Sequence, residues 1–503
     1  MTIVNTGDVK LGSFLLDTLT VGMYEDPFHC IREYVQNGFD AINDAVAAGQ
    51  LDAGMGRIVV NVTKSAKSVN LKISDNGTGV PGNAVLDRLV SIGISSKSPR
   101  QHAGFRGIGR LAGIAYCSEL RFKTTVLGEN FATVVSFDCP MARDLMTSGA
   151  QPLPLQEIIV QCVSISHEAA RTGDHFTNVE LINLTGLGVE FADPTKLEEY
   201  LSQYCPVDFS AAFKHKDEVE RSAREVNATI PFVQVELKIR RESADIRKPY
   251  LDSVKASGKV SLLQSVEAVN NLEHGWFGWF GVTDFLGEIN EQKVAGIRFR
   301  QRNIQVGDAT LMEQIAAGMD GPSNRRMMKW VIGEVYVVNP KVIPNARRDG
   351  FEDNQAWRTI RKDMEKVVTT IAKIVRGSST RRNQIKKFDK AVDNARKKIS
   401  DAGGTIQRTM REDIDADLDK QLKLISKKLD KGFDPDRAAD LISKIKELRE
   451  HLKSIKEARA LPGPTITKAL EIIERILVAE LKAQQAKKIF TAIQKELLAL
   501  DEK

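Results

Sequence analysis

Apolar and polar positions along this chain recur with two different periods, and the period indicates where helices and strands belong. Around EYVQNGFDA, residues 33–41, Ile31, Tyr34, Val35 and Phe39 take one side of a helical wheel, while Glu33, Asn37 and Asp40 follow at i, i+4 and i+7 on the other. That stripe fits either one wall of a polar pocket or a solvated helix face. VNLKISDNGTGVP then alternates apolar and polar residues, as a strand that runs into Asp75 and a turn containing Gly77 and Gly79. HFTNVELINL, residues 175–184, alternates in the same way, with Thr177 on its inward side. Between residues 230 and 345, the runs IPFVQVELKIR, GWFGWFGVTDF, KVAGIRFRQRNIQVG and KWVIGEVYVVN predict a second α/β domain. Beyond residue 410 the period is helical. Leu441, Ile445, Leu448, Leu452 and Ile455 step by 4, 3, 4 and 3, and Ile466, Leu470, Ile473 and Leu477 by 4, 3 and 4. The LPGP break at 461–464 joins these two stripes into a predicted helical hairpin, closed on itself or on another subunit. Flexible joints are expected at GSSTRR near 377 and at DAGGT near 401.

Beside the polar stripe, two segments carry candidate chemistry. A turn after Asp75 places its carboxylate at the end of a sheet, where it can accept a hydrogen bond from an exocyclic amine such as that of adenine, and the glycines let a flat ligand approach the backbone. The same residues also make an ordinary β-turn. Residues 91–110, SIGISSKSPRQHAGFRGIGR, set Gly104, Gly107 and Gly109 ahead of a helical pattern, LAGIAYC. Unshielded amides at a helix start cradle phosphate, helped here by Lys97, Arg106 or Arg110. The G-x-x-G-x-G spacing is neither the dinucleotide fingerprint nor a Walker A loop, and a mobile lid without ligand has the same composition.

Taken in order, these elements resemble the GHKL nucleotide-binding fold shared by gyrase, the ninety-kilodalton heat-shock chaperone, histidine kinases and MutL, over residues 15–185. The resemblance implies an α+β sandwich that binds ATP with Mg²⁺. It implies Glu33 as the general base that orients the attacking water and Asn37 as the Mg²⁺ ligand through its carbonyl oxygen. Asp75 would hold the adenine amine and Gly79 would pack beneath the base, with Asp40, Ala41 and Gly77 alongside. Lys97, Gly104, Phe105, Arg106, Gly107, Ile108 and Gly109 would line the phosphates as a lid. Thr177 would reach the adenine through its hydroxyl or a water, but family members often carry glycine before this threonine, and Phe176 departs from that pattern. KVIPNARRDGFED looks like the middle-domain loop of the heat-shock chaperone, which makes Asn345 and Arg348 the pair facing the γ-phosphate. Arg347 replaces Arg348 if the register slips by one, and a surface loop with a salt-bridged arginine is the plainer alternative.

Length and charge shape the rest. The 503 residues suit about three domains: an ATP-binding domain at 1–205, an α/β transducer at 206–355, and an all-α, basic and coiled-coil region at 356–503. The five cysteines, Cys30, Cys117, Cys139, Cys162 and Cys205, are scattered without CxxC pairing, which indicates free thiols rather than a disulfide scaffold or zinc site. No leader pattern or long apolar run appears, so a soluble cytoplasmic protein without a membrane partner is expected. From residue 356 onward there are 35 Lys and Arg against 23 Asp and Glu, whereas the preceding residues hold 37 against 43. The excess concentrates at 358–398, with 14 basic and 4 acidic residues, a stretch that fits a phosphate backbone or a solvated face.

The resemblance therefore implies an ATPase that works as a conformational clamp, similar to the heat-shock chaperone and MORC-type ATPases. ATP would close the lid and bring two subunits together as a homodimer. A protein partner through the C-terminal helices, a nucleic-acid partner, a topoisomerase-like or MutL-like DNA-directed role, and a subunit role in a bacterial defence complex all stay open. A histidine kinase is disfavoured, because only about 30 residues precede Glu33, without room for a helical phosphoacceptor segment.

Overall fold

A computed structural model of the chain describes residues 26–92, 102, 107, 109–147, 153–321, 323–429, 435–457 and 464–501. They fall into two compact units, Met1–Ser378 and Ser379–Lys503. Among the described residues, no helix is long and apolar enough to cross a membrane, and all five cysteines are free and buried.

The first unit begins with a helix, α1 (His29–Ala47), against an eight-stranded sheet. Its strands are β1 (Arg57–Lys64), β2 (Val69–Asp75), β3 (Cys117–Thr125), β4 (Phe131–Asp138), β5 (Val163–Ala169), β6 (Phe176–Leu184), β7 (Gln234–Ile239) and β8 (Glu242–Ile246). They lie in the order β5-β4-β3-β6-β2-β1-β7-β8, antiparallel throughout except where β7 runs parallel to β1. Period two decides the buried face: in β1, Ile58, Val60 and Val62 are buried while their neighbours are more open. Ile31, Val35, Phe39 and Ile42 of α1 close over the same core. Full burial of each such side chain stabilises by about 1.5–3 kcal/mol, so this face, rather than helix propensity, holds α1 in place.

A second sheet follows a short hairpin of β9 (Ser253–Ala256) and β10 (Lys259–Leu262). It contains β11 (Ser265–Asn271), β12 (Trp276–Val282), β13 (Gly296–Gln301), β14 (Ile304–Val306) and β15 (Ile332–Val337), in the order β11-β12-β15-β13-β14. Both faces are covered, which explains why β12 reads WFGWFGV without alternation. Trp276 and Phe280 enter one apolar cluster with Trp357, Ile360 and Met364 of the long helix Gln355–Asp401, whereas Phe277 and Trp279 enter another with Phe209, Phe213 and Tyr250.

Glu334 of β15 lies fully buried between these layers. Lys248 Nζ stands 2.6 Å from Glu334 Oε2 and 2.7 Å from the Tyr336 hydroxyl, and Arg300 donates to Glu334 Oε1. Arg300 also donates to the Gln203 carbonyl at 2.7 Å, and Asn303 to the Val207 carbonyl at 3.1 Å. The network thus pins the segment that leaves the first sheet onto the second.

Several expectations change. The run IPFVQVELKIR, grouped in sequence with the later strands, supplies β7 and extends the first sheet through its parallel pairing with β1. GSSTRR is helical, within Gln355–Asp401, and the division between the two compact units, after Ser378, falls inside it. LAGIAYC begins as a 3₁₀ turn, Gly109–Ala115, rather than an α-helix. The expected hairpin also re-pairs. The stripe from Leu441 to Leu452 packs with Ile414, Leu418 and Ile425 of helix Arg408–Leu429 and with Phe388, Val392 and Ile399, while helix Pro464–Glu480 packs on helix Ala483–Asp501. Matching stripes on the preceding helix, not the LPGP break, chose these partners. A two-residue bridge, Thr405–Ile406 with Lys456–Glu457, is the one departure from all-α structure among the described residues of this second unit.

Candidate active site

The polar stripe of α1 is not solvated. Glu33 is 8% exposed and Asp40 1%, while Asn37 is half-buried. Burying two carboxylates on one helix is costly unless charges or hydrogen bonds compensate, so this face marks a site rather than a surface.

Three segments converge on Glu33. Arg348 places Nε 3.5 Å from Glu33 Oε1, and Arg32 places Nη2 at the same distance from that oxygen. On the other side, a side chain added at Gly109 would meet Glu33 Oε2 and displace the carboxylate, so glycine lets this end of the glycine-rich segment lie on it. Tyr34, the next residue of α1, fastens that segment: its hydroxyl accepts from the Gly113 N–H at 2.9 Å and donates to the Arg110 carbonyl at 3.0 Å. Burial raises this phenol well above its ordinary pKa, which keeps it a donor. Burial also lowers the Arg110 guanidinium to about 10.

Arg348 has a positive φ of 57°. Its backbone is held from both sides, donating to the Asn345 carbonyl at 3.1 Å and accepting from the Gly307 N–H at 2.8 Å. A non-glycine residue in the left-handed region costs on the order of 1 kcal/mol or more and persists where its surroundings over-determine it. Of the two arginines in the ARR run, Arg348 is buried and reaches Glu33; Arg347 is exposed and offers its carbonyl to Arg32 at 3.4 Å. Asn345 donates to Asp349 Oδ1 of its own loop at 2.5 Å.

The turn after β2 forms the other end of the site. Asp75 Oδ1 accepts from the Gly77 N–H at 2.9 Å, and the Thr78 N–H bonds the Ala41 carbonyl of α1 at 3.1 Å. Gly79 has a φ of +71°, and a Cβ there would strike the Thr125 carbonyl oxygen. Thr177 lies opposite Asp75 in the β2–β6 register, 3.2 Å from the Thr124 hydroxyl. Thr124, fully buried, also accepts from the Val80 N–H at 2.8 Å and donates to the Phe176 carbonyl at 2.9 Å.

Glu33, Asn37, Asp40, Ala41, Asp75, Gly77, Gly79 and Thr177 thus line α1 and the strand ends beside it. Gly109 and Arg348 are brought to Glu33, and Gly107 has the positive φ of 70° that favours glycine. Lys97, Gly104, Phe105, Arg106 and Ile108 lie outside the described residues. Sequence reasoning missed Tyr34, Thr124 and Arg32. Thr124 shows only as one of two threonines closing an alternating strand, and Tyr34 only as an apolar position on α1. Arg302, in the β13–β14 turn, was missed too. Burial lowers its pKa, and the charges of Asp40 and Asp44 on α1 oppose that shift.

Among the described residues, no cluster of three or more His, Cys, Asp or Glu could hold a metal by itself. A half-buried amide one turn from the acid fits Mg²⁺, which takes one or two protein oxygens and completes its octahedron with phosphates and water. Asn37 Oδ1 would be that ligand, and the ion when bound would neutralise phosphate charge.

Residues 24–164 match the model of the family described as histidine kinase-, DNA gyrase B-, and HSP90-like ATPases. The matched segment runs from the start of α1 through Gly109 and ends ahead of Thr177, Asn345 and Arg348. It supports ATP binding and hydrolysis, with a GHKL-type fold in this region. No curated protein matches the chain.

Proposed function

We propose that the chain is an ATP-driven conformational clamp whose cycle turns on Glu33. The observation that carries this reading is the convergence on one carboxylate of the glycine-rich segment, through Gly109, and of the segment after the second sheet, through Arg348. ATP binds with its adenine amine at Asp75, its base over Gly79 and Thr177, and its phosphates along Gly104, Gly107 and Gly109. Arg348, which pairs with Glu33, exchanges that carboxylate for the γ-phosphate, where its charge opposes that developing on the transferred group. Glu33 is then free to take a proton from the attacking water. Because the arginine comes from beyond the second sheet, the exchange couples a phosphate contact to domain movement, and turnover is slow and gated by closure. The same closure brings two subunits together through their N-terminal regions.

Nucleic acid is the partner that one observation favours. In helix Gln355–Asp401, Lys386, Lys390 and Lys397 share the side opposite buried Phe388, Val392 and Ile399, with Lys387 and Lys398 flanking it. All five are exposed and form no ion pair among the described residues, although Asp389 beside them is taken by Arg437 at 2.9 Å. An unpaired lysine row without exposed apolar residues suits a phosphate backbone better than a membrane surface.

The deciding measurement is steady-state ATP hydrolysis with and without double-stranded DNA at two salt concentrations. Stimulation by DNA that fades with salt and is lost in a Lys386→Glu, Lys390→Glu, Lys397→Glu variant is expected. Hydrolysis indifferent to DNA would move the proposal to a protein-directed, chaperone-like clamp, and absence of hydrolysis would remove the ATPase reading altogether.

A further inference from the structure

Gln36 of α1 is 1% exposed, and neither its Oε1 nor its Nε2 has a hydrogen-bond partner among the described residues. A buried amide left in this condition costs about 1–3 kcal/mol, and a methionine would fill similar volume without that cost. Orphaned buried polar atoms in a native fold therefore point to a water or ligand that completes them.

The position narrows what that is. Gln36 follows Glu33 by three residues on one helix, which makes the two side chains neighbours, with Cβ atoms about 5–6 Å apart. One turn before it stands Arg32, bonded to the Arg347 carbonyl, and one turn after it stands buried Asp40. Gln36 thus lies along the side of α1 on which Arg32 and Glu33 meet the Arg347–Arg348 segment. Asn345 Oδ1, in that same loop, is a second buried acceptor with no partner among the described residues. A carboxamide offers an acceptor and a donor side by side. It can receive one proton of a water, donate to another lone pair of it, and leave the remaining proton toward an adjacent carboxylate. Glutamine fills this water-orienting part in other phosphoryl-transfer sites.

We infer that Gln36 holds the attacking water jointly with Glu33, an inference that rests on the ATPase reading above. In the step, the water oxygen bonds to the γ-phosphorus as the bond from that phosphorus to the bridging oxygen of the β-phosphate breaks. ADP leaves with the electron pair, and the water proton passes to the Glu33 carboxylate. Gln36 exchanges no proton; it fixes the direction of attack.

The test uses the full chain and three variants, Gln36→Met, Gln36→Glu and Glu33→Ala, each measured for kcat, ATP dissociation constant and thermal unfolding. Gln36→Met is expected to lower kcat about 100-fold, the lower end of the range for a positioned acid–base group, with ATP affinity kept and Tm kept or raised. Gln36→Glu, which keeps an acceptor oxygen but loses the amide donor, should keep part of the activity at unchanged ATP affinity. An unchanged kcat in Gln36→Met, or a loss that only follows ATP affinity, overturns the inference. If Gln36→Met does not fold, Gln36→Glu decides, and a kcat equal to that of wild type overturns it. Normal hydrolysis by Glu33→Ala would remove both readings together; its loss beside a normal Gln36→Met would remove this one alone.

Discussion

Replacing Glu33 by alanine is expected to leave ATP binding intact while lowering turnover about 10²- to 10⁴-fold, the usual contribution of a positioned general base. Binding should survive because the Glu33 carboxylate carries like charge to the phosphates and contributes nothing to holding them. It should even tighten slightly, since Arg348, now 3.5 Å from Glu33 Oε1, no longer has to leave that carboxylate for the γ-phosphate. The variant should therefore collect in the nucleotide-closed state, seen as ATP-dependent association that does not decay. Calorimetric ATP titration and single-turnover hydrolysis together test this. Hydrolysis within threefold of wild type would refute the role of Glu33, and loss of ATP binding would mean that its carboxylate is structural. Arg348→Ala should behave differently, with both weaker ATP binding and slower turnover, because the arginine contacts the nucleotide rather than the water.

The largest stability effect is expected at Glu334→Ala, a residue remote from the nucleotide. Glu334 is the one acid between two fully buried cations, Lys248 and Arg300. Its removal leaves both without compensation, and breaking a buried pair in this manner costs roughly 3–5 kcal/mol. All four tryptophans, Trp276, Trp279, Trp330 and Trp357, lie in the second-sheet region, so a urea titration followed by their fluorescence reports that region. A midpoint unchanged from wild type would show that the network contributes nothing net.

The network also sets a pH dependence. Burial, then the neighbouring Arg300 charge, lowers Lys248 to about 7 in the folded protein against an ordinary 10.5. Between those values the unfolded chain holds a proton that the folded one lacks, so stability should rise with pH from about 7 toward 10.5. Burial would raise the Glu334 carboxyl, but Arg300 and Lys248 hold it at about 2 against an ordinary 4.5, so stability should fall as pH drops through that interval. Lys248→Met should abolish the alkaline slope and weaken the acidic one, leaving the part that Arg300 supplies.

Much of the site was legible because its residues lie on local periodic elements. Glu33, Asn37 and Asp40 share one helix face, and Asp75, Gly77 and Gly79 follow one strand, so spacing alone grouped them. Thr124 and Tyr34 were not legible. Each acts through one hydroxyl pointed at a backbone atom 44 or more residues away, and no local period encodes that meeting. Gln36 was visible on α1 but undistinguished, since only a folded environment can leave an amide buried without partners.

By itself, the order of residues determined the helical stripe, the glycine turns, the strand alternation and the charge imbalance, because these depend on neighbours within a few positions. Tertiary structure alone decided that the stripe is buried rather than solvated, that IPFVQVELKIR joins the first sheet, and that helix Pro435–Ser454 pairs with its predecessor. It also decided that Arg348 rather than Arg347 reaches Glu33. The physical reason is common to all four: each outcome depends on which distant surface removes a group from water, and that competition is settled only when the whole unit packs.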